Sequence, residues 1–195
     1  MEVRLLEHSS INVIRKGFGI CTGKLTIPKE NLQHWIQVGH LSPIEHSFAS
    51  FYISGISRAC SHQIVRHRLA SYSQRSQRYC AEEEWNPIVP DSLDDGKRRW
   101  IYDGFMKNAK LAYKKLTEDF GVPEEDARFV LPNATPTELI MTANFREWRH
   151  FIKVRNTEHA QWEIREVAKR VLEQLYEVAP EIFEDLLVEH ENPVN

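Results

Sequence analysis

The sequence predicts an α+β fold, with mixed helices and a small sheet, in a single domain spanning residues 1–195. Three observations carry this expectation. Segments 98–120 and 157–179 repeat apolar residues at helical spacing, and segments 48–56 and 137–143 are rich in β-formers. No strand–helix–strand alternation runs along the chain, which argues against a doubly wound parallel sheet. At 195 residues the chain is long enough to bury a real core and fits one domain.

Taken in order, Val3 to His8 reads as a short strand. Pro28 to Val38 reads as a helix, with Pro at its start and Gly39 just past its end. Phe48 to Ile56 alternates as a strand does. Ser57 to about His67 reads as a helix carrying Gln63 and Arg66 on adjacent turns, and the polar run after Arg68 reads as an ordered loop. Trp85 to Gly96, with two prolines and three aspartates, is a connection. Ile101, Phe105, Ala109, Ala112, Leu116 and Phe120 keep helical spacing up to Gly121. Pro123 opens a short helix carrying Arg128. Thr137 to Ala143 is a second β-like run, and Asn144 to Arg155 is helical. Thr157 is placed to cap a last long helix to Ala179, whose stripe is Ile164, Val167, Ala168, Val171, Leu172, Leu175 and Val178.

Composition narrows the function. A formal net charge of −3 argues against a general nucleic-acid binder, which carries a basic excess. No apolar run is long enough to span a membrane. Residues 1–20 hold Glu2, Arg4 and Glu7 and lack an apolar core, so no signal peptide is expected and the cytoplasm is the default location. Three cysteines without paired spacing do not form a disulfide framework. The histidines lack the His-x-x-x-His spacing that puts two ligands on one helix face, so no metal site is expected.

The richest stretch is 63–79. It holds Gln63, Arg66, His67, Arg68, Gln74, Arg75, Ser76, Gln77, Arg78 and Tyr79, and no Asp or Glu occurs between Glu45 and Glu82. Without a local carboxylate, the expected counter-charge is an anion from outside. Arginine's planar fork is the side chain best shaped for phosphate, while serine and glutamine can read a neutral ring. A second constellation follows. Asn144 and Arg146 open a helix, where free N–H groups and positive potential favour an anion. His150 lies one turn beyond Arg146 on the same face.

Arg66-His67-Arg68, seven residues and then Ser76, with Gln63, Arg78 and Tyr79 around them, closely resembles the signature of the flavin-dependent thymidylate synthases. The resemblance runs from about Gly39 to the end of the last long helix. It implies that dUMP is methylated to dTMP, with methylenetetrahydrofolate as one-carbon donor and NADPH reducing a bound FAD, and that no cysteine acts as nucleophile. It implies a homotetramer whose active sites share residues between subunits. Position by position, Ser42, Arg66, His67, Arg68, Gln74, Asn144, Arg146 and His150 match flavin-side positions. Gln63, Arg66, Gln74, Ser76, Gln77, Arg78, Arg128 and Arg155 match the nucleotide pocket, and Arg155 matches the arginine that acts on the pyrimidine ring. Gln74 stands where many members carry Glu, and His150 where some carry Asn. Three other readings use the same residues: a different flavoenzyme acting on a pyrimidine nucleotide, a non-catalytic nucleotide-binding protein, and an RNA-binding module, which the net acidity disfavours.

Overall fold

The computed structural model describes residues 1–82 and 84–191. Its elements, in chain order, are β1 (Glu2–His8), α1 (Asn12–Cys21), α2 (Leu32–Gln37), β2 (Phe48–Ser57), α3 (Arg58–Ile64), β3 (Ala70–Gln74), α4 (Gly96–Lys114), α5 (Glu124–Ala127), β4 (Pro136–Asn144), α6 (Phe145–Arg155), α7 (Trp162–Val178) and α8 (Pro180–Glu191). The four strands form one sheet in the order β1-β2-β4-β3. Phe145 N–H donates to the Ser47 carbonyl and Arg58 N–H to that of Thr135, while the hydroxyls of Ser50 and Thr142 bond across the strands. These pairings run in opposite senses along the chain, so β2 and β4 are antiparallel. The α+β class expected from the sequence is the one observed.

The chain divides into two compact units. The larger comprises residues 2–53, 63–73 and 140–195. Its core is aromatic and aliphatic: Trp148, Phe51, Phe145, Phe151 and Phe183 are fully buried. Trp148 sits edge-on to Phe51 at 5.0 Å, and its indole N–H donates to the Ala49 carbonyl at 3.0 Å, so its one polar atom is satisfied. The α7 stripe is buried as expected from Ile164 to Leu175. Gln174, also on α7, ties down β1: its amide oxygen accepts from Leu5 N–H and its amide nitrogen donates to the Val3 carbonyl.

Three departures from the expected elements have identifiable causes. The helix α3 stops at Ile64 rather than near His67, and the Tyr72 hydroxyl donates to the carbonyls of Ile64 and His67 that the helix leaves open. The polar run after Arg68 is not a loop but strand β3, whose half-buried Ala70, Tyr72 and Gln74 alternate with exposed Ser71 and Ser73. A serine-rich strand has too little apolar contrast to be read by alternation. Helix α7 is capped by Gln161, not Thr157: the Gln161 side chain accepts from the N–H groups of Glu163 and Ile164. Two further helices, α1 and α8, were not anticipated. In α1, Gly17 and Gly19 lower helix propensity, yet a Cβ on Gly19 would lie 2.6 Å from the Thr26 backbone, so the glycine allows a close approach there.

The smaller unit comprises Met1 and residues 54–62 and 74–139. Its core includes Ile56, Cys60, Trp85, Met106, Ala109, Tyr113 and Leu139. The α4 periodicity is real, but its polarity is not the expected one. Met106, Ala109 and Tyr113 point inward, while Ile101 and Phe105 are 66% and 61% exposed. Past α4 the chain continues through a π-helical turn, Lys115–Asp119, to Gly121 at φ +63°, which ends the segment where expected.

Candidate active site

In the larger unit, β4 runs directly into α6, and Asn144 at the junction is the N-cap: its side chain accepts from Glu147 N–H at 2.9 Å. This fixes the first turn of α6 with Arg146 exposed and His150 one turn further on. Both line a cleft of about 1250 Å³, together with Asn144, Glu147, Arg66 and Arg68. The cleft thus gathers five of the residues expected to hold a cofactor. Arg146 is paired with Glu45, and Arg149 makes a bidentate pair with Asp185 while also donating to the Ile182 carbonyl. Arg66 and Arg68 are exposed, and neither guanidinium has a carboxylate partner among the described residues. They are held by the turn after α3, where Arg66 N–H donates to the Gln63 carbonyl. Glu45, Arg149 and Lys153 also line the cleft and were not singled out from the sequence. Glu45 comes from another segment, which nothing local in the sequence marks, whereas Arg149 and Lys153 lie on α6 itself, three and seven residues past Arg146, a helical spacing that could have found them. Ser42 does not line the cleft. It begins the 3-10 turn Ser42–His46, whose Glu45 does.

Behind the cleft wall lies a buried chain of polar groups. His67 is 6% exposed and packs edge-on to Phe151 at 4.9 Å. Arg155 Nε–H donates to His67 Nε2 at 3.1 Å, so Nε2 carries a lone pair and the ring proton is on Nδ1, which donates to Glu147 Oε1 at 3.2 Å. Arg155 also donates to the Gln63 carbonyl. Burial, and then Arg155 and His150, push the His67 pKa down to about 4. Burial pushes the Glu147 carboxyl upward. His67 is thus a neutral spacer with both nitrogens engaged, while its two arginine neighbours in sequence face the cleft.

In the smaller unit, Gln74, Ser76, Gln77, Arg78 and Arg128 fall together. The Gln74 amide nitrogen donates to the hydroxyls of Ser61 and Thr137. Ser76 Oγ accepts from Arg78 N–H and so shapes the turn that carries Arg78. Arg78 forks onto the Glu125 carboxylate at 2.9 and 2.8 Å, and Arg128 donates to the Glu125 carbonyl at 2.9 Å. One acidic residue therefore anchors both arginines. The Gln77 amide nitrogen is buried without a hydrogen-bond partner among the described residues. The expectation that the arginines of 63–79 lack carboxylates is corrected here for two of them: Arg75 meets Glu82 and Glu138, and Arg78 meets Glu125. Glu125 and Glu138 are close in space and distant in sequence, whereas Glu82 lies only seven residues past Arg75, at the end of the acid-free span. For Arg66 and Arg68 the expectation stands among the described residues.

Cys60 is fully buried, Cys80 half-buried and Cys21 exposed. Among the described residues, no three His, Cys, Asp or Glu side chains gather to hold a metal. No described helix is long and apolar enough to cross a membrane.

The fold and the cleft define an α+β protein in which Arg66 and Arg68, without a carboxylate partner among the described residues, line one cleft with the capped first turn of α6. The chain belongs to the thymidylate synthase complementing protein family, which it matches over residues 6–181. The match begins well before Gly39, so the amino-terminal segment is part of the family pattern. A flavin-dependent thymidylate synthase from Geobacter sulfurreducens is 50% identical over 153 residues, covering 77% of this chain and 66% of the relative. One from Mycobacterium tuberculosis is 44% identical over 172 residues, covering 80% of this chain and 69% of the relative. This chain thus spans about two thirds of the length of the curated relatives it matches. The crystal structure of thymidylate synthase X from Helicobacter pylori with FAD and dUMP superposes with a TM-score of 0.80 at 22% identity, over 96% of this chain and 99% of that one. At that identity the likeness is one of fold.

Proposed function

We propose that this chain is a flavin-dependent thymidylate synthase forming one catalytic domain over residues 1–195. It converts dUMP to dTMP with methylenetetrahydrofolate as one-carbon donor and NADPH as reductant of FAD, in a cytoplasmic homotetramer with shared active sites. The observation that carries this reading is the cleft with unpaired Arg66 and Arg68 beside Asn144, Arg146 and His150. These residues fit FAD. Two free guanidinium forks and the N-terminal turn of α6 suit a pyrophosphate, and about 1250 Å³ leaves room for a ring system. Reduced FAD would supply hydride. Ser42, His67 and Gln74 are assigned with these residues to the flavin side, His67 from its buried place behind the cleft wall.

The protein's own part is to bind, orient and neutralise. Arg78, Arg128, Ser76 and Gln77 hold the nucleotide, with Glu125 keeping the two arginines in register. The unpartnered Gln77 amide supports a polar ligand beside it. Gln63 and Gln74 are also assigned to nucleotide binding. Arg155 places a permanent cation near the pyrimidine. There it favours loss of the ring N–H proton and stabilises negative charge as bonds form at the ring. Full burial of Cys60 supports a reaction without a cysteine nucleophile.

The test is the absorption spectrum of the purified protein, before and after adding FAD and dUMP, followed by assay of dTMP formation. The expected result is a bound flavin whose bands shift with dUMP, and turnover requiring both NADPH and methylenetetrahydrofolate. A protein that takes up no FAD but binds dUMP would favour the non-catalytic alternative. Flavin binding without dTMP formation would favour a different flavoenzyme.

A further inference from the structure

We propose that Glu147 is a positioning residue for Arg155, acting on it through the imidazole of His67. The proposal rests on the role of Arg155 given above. Glu147 and Arg155 stand at opposite ends of α6, eight residues or about 12 Å apart along the axis, too far for direct contact. His67, from the turn after α3, bridges them. Its Nδ1–H donates to Glu147 Oε1 at 3.2 Å and its Nε2 accepts from Arg155 Nε–H at 3.1 Å.

The bridge works with only one tautomer. If the ring proton were on Nε2, two N–H groups would oppose each other and Arg155 would lose its anchor. A doubly protonated ring would add like-charge repulsion. An acceptor on the Nδ1 side selects the productive form, and Glu147 is that acceptor. Glu147 is 6% exposed, so its carboxylate bonds with little competition from water. It occupies the position in the first helical turn where a glutamate ordinarily turns back to the N-cap. Here its side chain bonds to His67 instead, while its backbone N–H takes the Asn144 cap. His67 is itself clamped: Tyr72 holds its backbone carbonyl at 2.7 Å, and its ring makes a T-shaped contact with Phe151. Arg155 is left with its Nε spent and one Nη turned to the Gln63 carbonyl, so the remaining N–H groups keep one direction. A guanidinium that must meet a ring edge gains from such fixing, because small misplacements of a catalytic group cost large factors in rate.

The experiment has two parts. Imidazole 15N spectra of the unsubstituted protein near neutral pH should show His67 as the Nδ1–H tautomer, and an Nε2–H tautomer would overturn the proposal. Turnover is then measured with flavin occupancy verified, because Glu147 also lines the cleft. Glu147→Leu should lower kcat at least about 30-fold with a smaller change in KM for dUMP, and Glu147→Gln, which keeps an acceptor, should recover most of that loss. In an Arg155→Lys background, Glu147→Leu should cost less than about threefold, because the group it positions is gone. An equal cost in both backgrounds, or an active Glu147→Leu beside an inactive Arg155→Ala, would overturn the proposal alone. Wild-type turnover in Arg155→Ala would instead overturn the role of Arg155, and the proposal with it. Should Glu147→Leu fail to fold, the tautomer measurement and the Glu147→Gln kinetics still decide.

Discussion

At the scale of single residues, arginines with the same charge do different work according to their partners. Arg75 and Arg78 are met by carboxylates, whereas Arg66 and Arg68 face the cleft without one among the described residues. Arg155 is fixed by a neutral histidine, which orients it without cancelling its charge. Arg155→Ala should therefore lose most turnover while keeping bound flavin. Arg155→Lys should restore little of it, since an ammonium has neither the Nε–H nor the fork. Ser76→Ala should keep measurable turnover with weaker dUMP binding, because the Ser76 hydroxyl also supports the turn of Arg78. Single-turnover assays of the three variants check this, and an inactive but dUMP-bound Ser76→Ala beside an active Arg155→Ala would refute it. His67 also makes a pH prediction. Its folded pKa is pushed from 6.5 down to about 4, so the stability of the neutral ring is complete above pH 6.5 and is lost as pH falls toward 4. The loss is at most about 3 kcal/mol. Burial is the largest cause of this shift, and of the groups facing the ring Arg155 and His150 add to it. Glu147, whose pKa moves upward, takes up its own proton sooner in the folded state and offsets part of the loss. Urea unfolding at pH 7 and pH 5 should show a larger drop for the unsubstituted protein than for His67→Asn, and equal drops would contradict the assignment.

At the scale of elements, α6 is the helix on which the site depends. Its cap, its first turn and its last residue each serve the cleft or the chain of groups behind it. Asn144→Ala removes the cap and should lower stability by about 1 kcal/mol, with weaker FAD binding, whereas Asn144→Asp should keep both nearly intact. Chemical denaturation and flavin titration of the two variants check this. Equal effects of Ala and Asp would show that the cap is not what matters. Elements with strong apolar periodicity, such as β2, β4 and α7, were legible in the sequence. The limits of α3 and the existence of β3 were not, because a tyrosine hydroxyl from another segment and a serine-rich edge decided them.

At the scale of the whole molecule, the outer face of α4 is unusually apolar. Trp100, Ile101 and Phe105 are 78%, 66% and 61% exposed, an arrangement that favours burial against another subunit. Light scattering should give a tetramer, and Phe105→Glu should reduce the mass while leaving the far-ultraviolet circular dichroism spectrum unchanged. An unaltered mass would remove this face from the assembly.

The sequence by itself determined the α+β class, the family resemblance and the residues of the arginine stretch. These are properties of local pattern, of apolar period and residue spacing, which need no knowledge of distant partners. It also named the cleft residues Arg66, Arg68, Asn144, Arg146 and His150 without showing that they line one cavity. Only the tertiary structure decided that Arg78 is paired and that Glu138 meets Arg75, because Glu125 lies 47 residues from Arg78 and Glu138 further still from Arg75. It alone turned His67 from a cleft residue into a buried spacer, and it alone brought in Glu147. Hydrogen bonds and burial depend on which segments meet in space, and that is fixed by the packing of the whole chain.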